Sequence, residues 1–184
     1  MKSVWLCRFD AGERKPAMSI EAIINDEPFK APLYLAITLA SPRPDLPEKK
    51  GMRYEKGTKV FIWNKSDAPS RKYEPLTIWF SAPEVGQILE AISRGKELSL
   101  IHAPYETTTI FSVRPSPEGV SFAITKKYSD GQKISRSFFI RKNDKNGFTS
   151  LEYIKLIQVL KSFTDIAWKV PVLRALRTEK GGEE

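Results

Sequence analysis

Cysteine and histidine are almost missing from this chain, and each scarcity removes a class of chemistry. The lone cysteine, Cys7, has no intrachain partner for a disulfide, so an intracellular, reducing compartment is expected. The lone histidine, His102, cannot build a zinc site with Cys7 at any usual spacing. No apolar run approaches the roughly 20 residues of a membrane span. No secretory leader is read either: Met1-Lys2-Ser3 leads straight into strand-like sequence, and residues 10–15 are charged. A glycine-rich phosphate loop with its lysine, a nucleophile elbow, a paired-histidine helix and a dinucleotide fingerprint are all lacking. His102, beside Ala103 and Pro104 at a strand end, reads as a surface or packed residue rather than a general base. Cys7, in an apolar strand, reads as an inert core thiol. The expectation is a non-enzyme without cofactor or metal.

Cations, by contrast, are plentiful. Thirty Lys plus Arg against 22 Asp plus Glu give a formal net charge of +8, which favours a polyanionic partner. At 184 residues, 41% of them hydrophobic and 28% charged, the chain can bury the core of one domain and has the balance of a soluble globular protein.

The organising stretch runs from Arg71 to Leu89. It reads as a basic loop, a strand and a helix start. In Leu76–Phe80, Leu76, Ile78 and Phe80 alternate with Thr77 and Trp79, so one face is apolar and the other carries a tryptophan. Ser81 with Glu84 three residues on forms a capping box, Pro83 sits where its missing N–H costs nothing, and Phe80 with Val85 makes a hydrophobic staple. Gly95 is the natural stop for a helix over Ala82–Arg94. The same device recurs at 148–157, with Thr149 as cap, Glu152 closing the box and Phe148 stapled to Tyr153. Ile88, Leu89 and Ile92 are answered by Leu156, Ile157 and Leu160. The chain therefore reads as α+β, two copies of a several-strands-then-helix unit at about 1–95 and 96–168. Residues 1–177 make a single domain, and residues 178–184 are read as a disordered tail.

Further strands are expected at 4–9, 17–25, 33–40, 58–64, 98–102, 107–114, 120–128 and 133–141. The first has Val4 and Leu6 on one side and Trp5, Cys7 and Phe9 on the other, so cover on both faces is expected. Residues 41–51 are a proline-rich connection. Asp130-Gly131 supplies the best hairpin turn in the chain. The second helix is expected to end near Phe163, with the apolar stretch 166–176 buried against its own domain or in an oligomer interface.

Cations and flat rings interleave along two segments. The first contributes Lys59, Trp63, Lys65, Arg71, Lys72, Tyr73 and Trp79; the second contributes Lys126, Lys127, Tyr128, Lys133 and Arg136. Single strands are held in this way, because cations track phosphates while rings stack on unpaired bases. Phe61, Phe122, Phe138 and Phe139 read instead as core, whereas Trp63, Tyr73, Trp79 and Tyr128 are better placed for contact.

These residues resemble the Whirly family of single-stranded-DNA-binding proteins, part of a group that includes transcription coactivators and guide-RNA-binding proteins. Arg71-Lys72-Tyr73 followed by Phe80-Ser81-Ala82-Pro83-Glu84-Val85-Gly86 is similar to that family's basic-aromatic step into its first helix. Leu100-Ile101-His102-Ala103-Pro104, then Pro115 to Phe122, then the closing helix with Ala167-Trp168, continue the likeness over about residues 33–168. The resemblance implies a doubled unit of four antiparallel strands and a helix, sheets packed crosswise, a tetramer assembled through helices, and single-strand binding with little sequence preference. The family's lysine-glycine-lysine-alanine-alanine-leucine motif has no clear counterpart. The first half also offers five strand candidates rather than four, with residues 52–64 as the insertion. Single-stranded DNA and a homo-oligomeric partner are thus expected. An RNA-binding or coactivator role on the same fold, and a protein-interaction adaptor that uses the apolar tail, stay open.

Overall fold

The alternating pattern of Leu76–Phe80 becomes strand β5, and its burial follows the alternation: Leu76, Ile78 and Phe80 are buried while Thr77 and Trp79 are exposed. This strand belongs to a computed structural model that describes residues 2–9, 17–25, 33–46, 61–104 and 107–180, with side chains as far as Lys169. Among the described residues the fold is α+β, with two antiparallel sheets of five and four strands and two α-helices. In the first sheet β1 (Lys2–Phe9), β2 (Ala17–Ile24), β3 (Leu33–Pro42) and β5 are neighbours in that order, and the two-residue β4 (Phe61–Ile62) pairs with the end of β3. The second sheet has the order β6 (Leu98–His102), β7 (Thr107–Ser116), β8 (Gly119–Tyr128) and β9 (Lys133–Arg141). Helix α1 (Ala82–Arg94) follows β5, and α2 (Leu151–Lys180) follows β9.

Helix α1 begins and ends as its sequence dictates. The Ser81 N–H donates to Glu84 Oε2 over 2.8 Å and closes the capping box. At the other end Gly95 takes φ 64°, while the N–H groups of Gly95 and Lys96 donate to the carbonyls of Ile92 and Ala91. This is the left-handed stop that glycine makes without a Cβ clash. Ile88 and Ile92 are buried with Leu89 beside them, and Leu156, Ile157 and Leu160 of α2 repeat that pattern.

One apolar cluster runs through both sheets and both helices. At its centre Phe80 of β5 meets Phe111 of β7 with ring centroids 4.6 Å apart, and Phe111 meets Phe122 of β8 at 6.0 Å. Phe9 of β1 reaches Phe138 of β9 in the same way. Burying a phenylalanine contributes about 1.5–3 kcal/mol each through area removed from water. These rings bridge the two sheets within a core that is otherwise largely aliphatic.

Several expectations are corrected. Strand β1 is not covered on both faces: Val4, Trp5 and Leu6 are exposed, because β1 is an edge strand and a bulge between Trp5 and Cys7 breaks its alternation. Strand β3 continues through Pro42, where it pairs with Phe61, so the proline-rich connection starts later than residue 41. Of the strand expected at 58–64, only Phe61–Ile62 is extended and paired, and 58–60 lie outside the described residues.

The second helix is capped one residue later than expected. Ser150, whose hydroxyl also donates to the Arg141 carbonyl, accepts from the Tyr153 N–H at 3.2 Å. Thr149 is instead bridged to Asn143, and Phe148 is 73% exposed, so no staple forms. Helix α2 does not end near Phe163, because Leu160, Phe163 and Ala167 keep one face on the core at helical spacing. It reaches Lys180, so residues 178–180 are helical rather than a disordered tail, and 181–184 lie outside the described residues. In the expected apolar stretch Ala167 is buried, but Ile166 and Trp168 are exposed.

Candidate nucleic-acid interface

Two groups of rings and cations lie on this frame. The first forms where the turn before β5 meets the β8–β9 hairpin. Residues Arg71–Tyr73 make one turn of 3-10 helix, and Arg136 on β9 of the second sheet clamps it. Its Nη2 donates to the carbonyls of Lys72 at 2.6 Å and Glu74 at 2.7 Å, and its Nε reaches Glu74 at 3.2 Å. Burial makes the Arg136 guanidinium easier to deprotonate than an ordinary arginine. The two carbonyls offset that loss by accepting its N–H groups.

Held by this clamp, Arg71 lies over the Tyr128 ring at 4.5 Å from its centroid, donates to Gln132 Oε1 and is ion-paired with Asp130. Lys126 approaches the same ring at 5.2 Å. Burial and the neighbouring Glu74 carboxylate, whose oxygen lies 3.5 Å from the hydroxyl, push the Tyr128 phenol up. Glu74 also meets Lys65 at 3.5 Å. Beside them the Lys72 ammonium sits 5.6 Å from the Tyr73 ring.

The second group covers the outer face of the first sheet. Trp79 is 41% exposed, with Tyr34 at 6.3 Å. Trp63 packs on the small second cluster of Ala17, Ala40 and Phe61, and the Arg8 guanidinium lies 4.4 Å from its ring. Trp5 meets Trp63 edge-on at 5.7 Å.

The sequence-derived candidates thus divide. Arg71, Lys72, Tyr73, Lys126, Tyr128 and Arg136 come together with Lys65 around the turn, while Trp63 and Trp79 stand on the outer face of the first sheet. Lys127 and Lys133 are paired with each other, and alternation along β8 puts Lys127 on the opposite face from Lys126 and Tyr128. They are not brought into the first group. Lys59 lies outside the described residues. Phe61, Phe122 and Phe138 are buried as expected, but Phe139 is 41% exposed, since it points away from the face that buries Phe138 and Ile140. Sequence reading missed Trp5, Arg8 and Tyr34; Trp5 was legible only as a tryptophan in a strand expected to be covered on both faces, and neither its edge position nor the bulge that turns it outward could be read.

No family model matches this chain, and no curated protein matches it either.

Among the described residues no group of three or more His, Cys, Asp or Glu side chains could hold a metal ion. Burial pushes the Cys7 thiol up to about 11, which keeps it protonated at neutral pH and leaves it a poor nucleophile. No helix among the described residues is long and apolar enough to cross a membrane.

Proposed function

We infer that this chain is a non-enzymatic, single-stranded-DNA-binding protein of the Whirly type, built from two strand-and-helix repeats with crosswise sheets and working as a homo-oligomer. The reading rests chiefly on one observation: Trp79 turns its ring to water on β5, directly after the clamped cationic turn of Arg71, Lys72 and Tyr73. Bases would stack on Trp79 and Tyr73 while Lys72, Lys65 and Lys126 meet phosphates. Stacking contributes on the order of 1–3 kcal/mol per base and tolerates any sequence, since every base has a π-face. The net charge of +8 favours the same partner.

A fluorescence-anisotropy titration of a mixed-sequence single strand at several salt concentrations, with matching duplex as competitor, tests this reading. Salt-weakened binding that duplex fails to displace is expected. Equal displacement by duplex would reduce the interaction to a general cation effect. Competition with RNA of the same sequence decides between DNA and the RNA-binding alternative through the 2′-hydroxyl.

A second reading is favoured by α2, where Leu151 at 70%, Ile166 at 54% and Trp168 at 65% remain exposed. Apolar surface of this kind suits a protein partner or further copies of the chain. As a protein-interaction adaptor the chain would bind with an affinity that does not fall with salt.

A further inference from the structure

The bulge in β1 re-aims two side chains. Trp5 pairs with Glu21, whereas Cys7 pairs with Ile20 and Arg8 with Ser19, so Leu6 is the extra residue. An unbroken strand would put Trp5 and Cys7 on one side and Arg8 on the other. With the bulge, Cys7 and Phe9 pack toward the core while Trp5 and Arg8 share the outer face, and both reach Trp63. Bulges of this type re-aim side chains at sites of function.

Cross-strand register then ties this group to Trp79. Trp5 is opposite Glu21, Glu21 opposite Ala36, and Ala36 opposite Trp79. The two tryptophans therefore stand on the same face at opposite edges of the sheet, three strand spacings or about 14 Å apart. Between them lie Ala36, which is buried, and the half-buried Glu21 carboxylate, which accepts from the Ser19 hydroxyl at 3.3 Å. Trp5 meets Trp63 edge-on and still keeps 53% of its surface in water.

We propose that Trp5 and Arg8 form a second contact for the same single-stranded nucleic acid, Trp5 stacking on a base and Arg8 meeting the adjoining phosphate. This rests on the single-strand reading above and extends its site across the outer face of the first sheet, from Trp79 at one edge to Trp5 at the other. The Glu21 carboxylate between them repels phosphate, so the backbone passes on the Arg8 side. Arg8 already lies over the Trp63 ring, and this holds its guanidinium on the outer face without a bound strand.

The test is an anisotropy titration of wild type, Trp5→Leu, Trp5→Phe and Arg8→Gln with oligothymidylates of increasing length. Leucine keeps apolar bulk and removes the π-face; phenylalanine keeps both. Trp5→Leu is expected to bind long oligomers about 5- to 150-fold more weakly, and Trp5→Phe close to wild type. Arg8→Gln should lower the salt slope by about 0.7. For oligomers too short to span from Trp79 to Trp5 the variants should match wild type. Wild type that binds while folded Trp5→Leu and Arg8→Gln bind long oligomers equally well overturns this second contact and leaves the first standing. Wild type that binds no single strand at low salt overturns both.

Discussion

The guanidinium of Arg71 lies 4.5 Å from the centroid of the Tyr128 ring and is ion-paired with Asp130 of the β8–β9 turn. Asp130 thus occupies a direction from which a phosphate would approach Arg71. Its carboxyl is held below the usual range first by the Gln132 N–H and then by Arg71, so it stays charged through the neutral range and competes with any incoming anion. Replacing it with asparagine keeps the turn's hydrogen bond and removes the competing charge.

Asp130→Asn is accordingly expected to bind single strands more tightly than wild type, with a salt slope steeper by about 0.7 if Arg71 gains one phosphate. Anisotropy at three or more salt concentrations reads both quantities. An unchanged slope would mean that Arg71 serves the fold alone.

Arg136 is expected to matter without touching the ligand. Its guanidinium is spent on the carbonyls of Lys72 and Glu74, and lysine cannot reproduce the planar fork that spans them. Arg136→Lys should lose about 1–3 kcal/mol of stability through carbonyls left without donors. Hydrogen exchange should also quicken in residues 71–74. Weaker single-strand binding that saturating ligand restores would identify a positioning role, whereas a changed salt slope at unchanged exchange would make Arg136 a direct phosphate contact.

Trp79 and Phe111 provide the contrast between surface and core. Phe111 is fully buried between Phe80 and Phe122, so Phe111→Ala is expected to cost about 3–5 kcal/mol in chemical denaturation. Trp79→Ala should shift the denaturation midpoint little and weaken single-strand binding by about 1–3 kcal/mol. Intact fold with unchanged affinity would remove Trp79 from the interface.

What could be read from the sequence depended on how far apart the interacting residues lie. Strand β5 and helix α1 are governed by neighbours: the alternation of Leu76, Ile78 and Phe80, the Ser81–Glu84 box and Gly95 all act within a few residues, and their limits agree with expectation. The start of α2 looked equally local, yet Ser150 took the cap because Arg141 at the end of β9 and Lys142 just after it offer it partners. Strand β1 misled because a bulge has no distinct residue signature, so alternation placed Trp5 beside Cys7. In the candidate interface, the mixture of rings and cations in 71–79 was legible. The pairing of Arg71 with Asp130 across 59 residues, and of Arg136 with the Lys72 carbonyl across 64, was not. Such contacts follow from how the two sheets meet, which local patterning does not encode.

Glu84 couples the start of α1 to the end of β6. One carboxylate oxygen accepts from the Ser81 N–H and hydroxyl, and the other lies 2.7 Å from His102 Nε2. Partial burial alone would raise its carboxyl, but the Ser81 hydrogen bonds, aided by His102, outweigh that and hold it below the ordinary range. A carboxyl depressed in the folded state contributes stability above its unfolded value, near 4.5, and that contribution is lost as pH falls through the folded value. Glu84→Gln, which keeps the shape of the box but not the charge, should therefore be less stable than wild type at pH 7 by about 0.3–1 kcal/mol, the range for a charge at a helix N-terminus. The gap should close on acidification, as pH falls through the depressed folded value and the wild-type carboxyl takes up its proton. Thermal denaturation of both proteins across that range checks the sign. A gap that stays constant with pH would show that the geometry of the side chain, rather than its charge, secures the helix start.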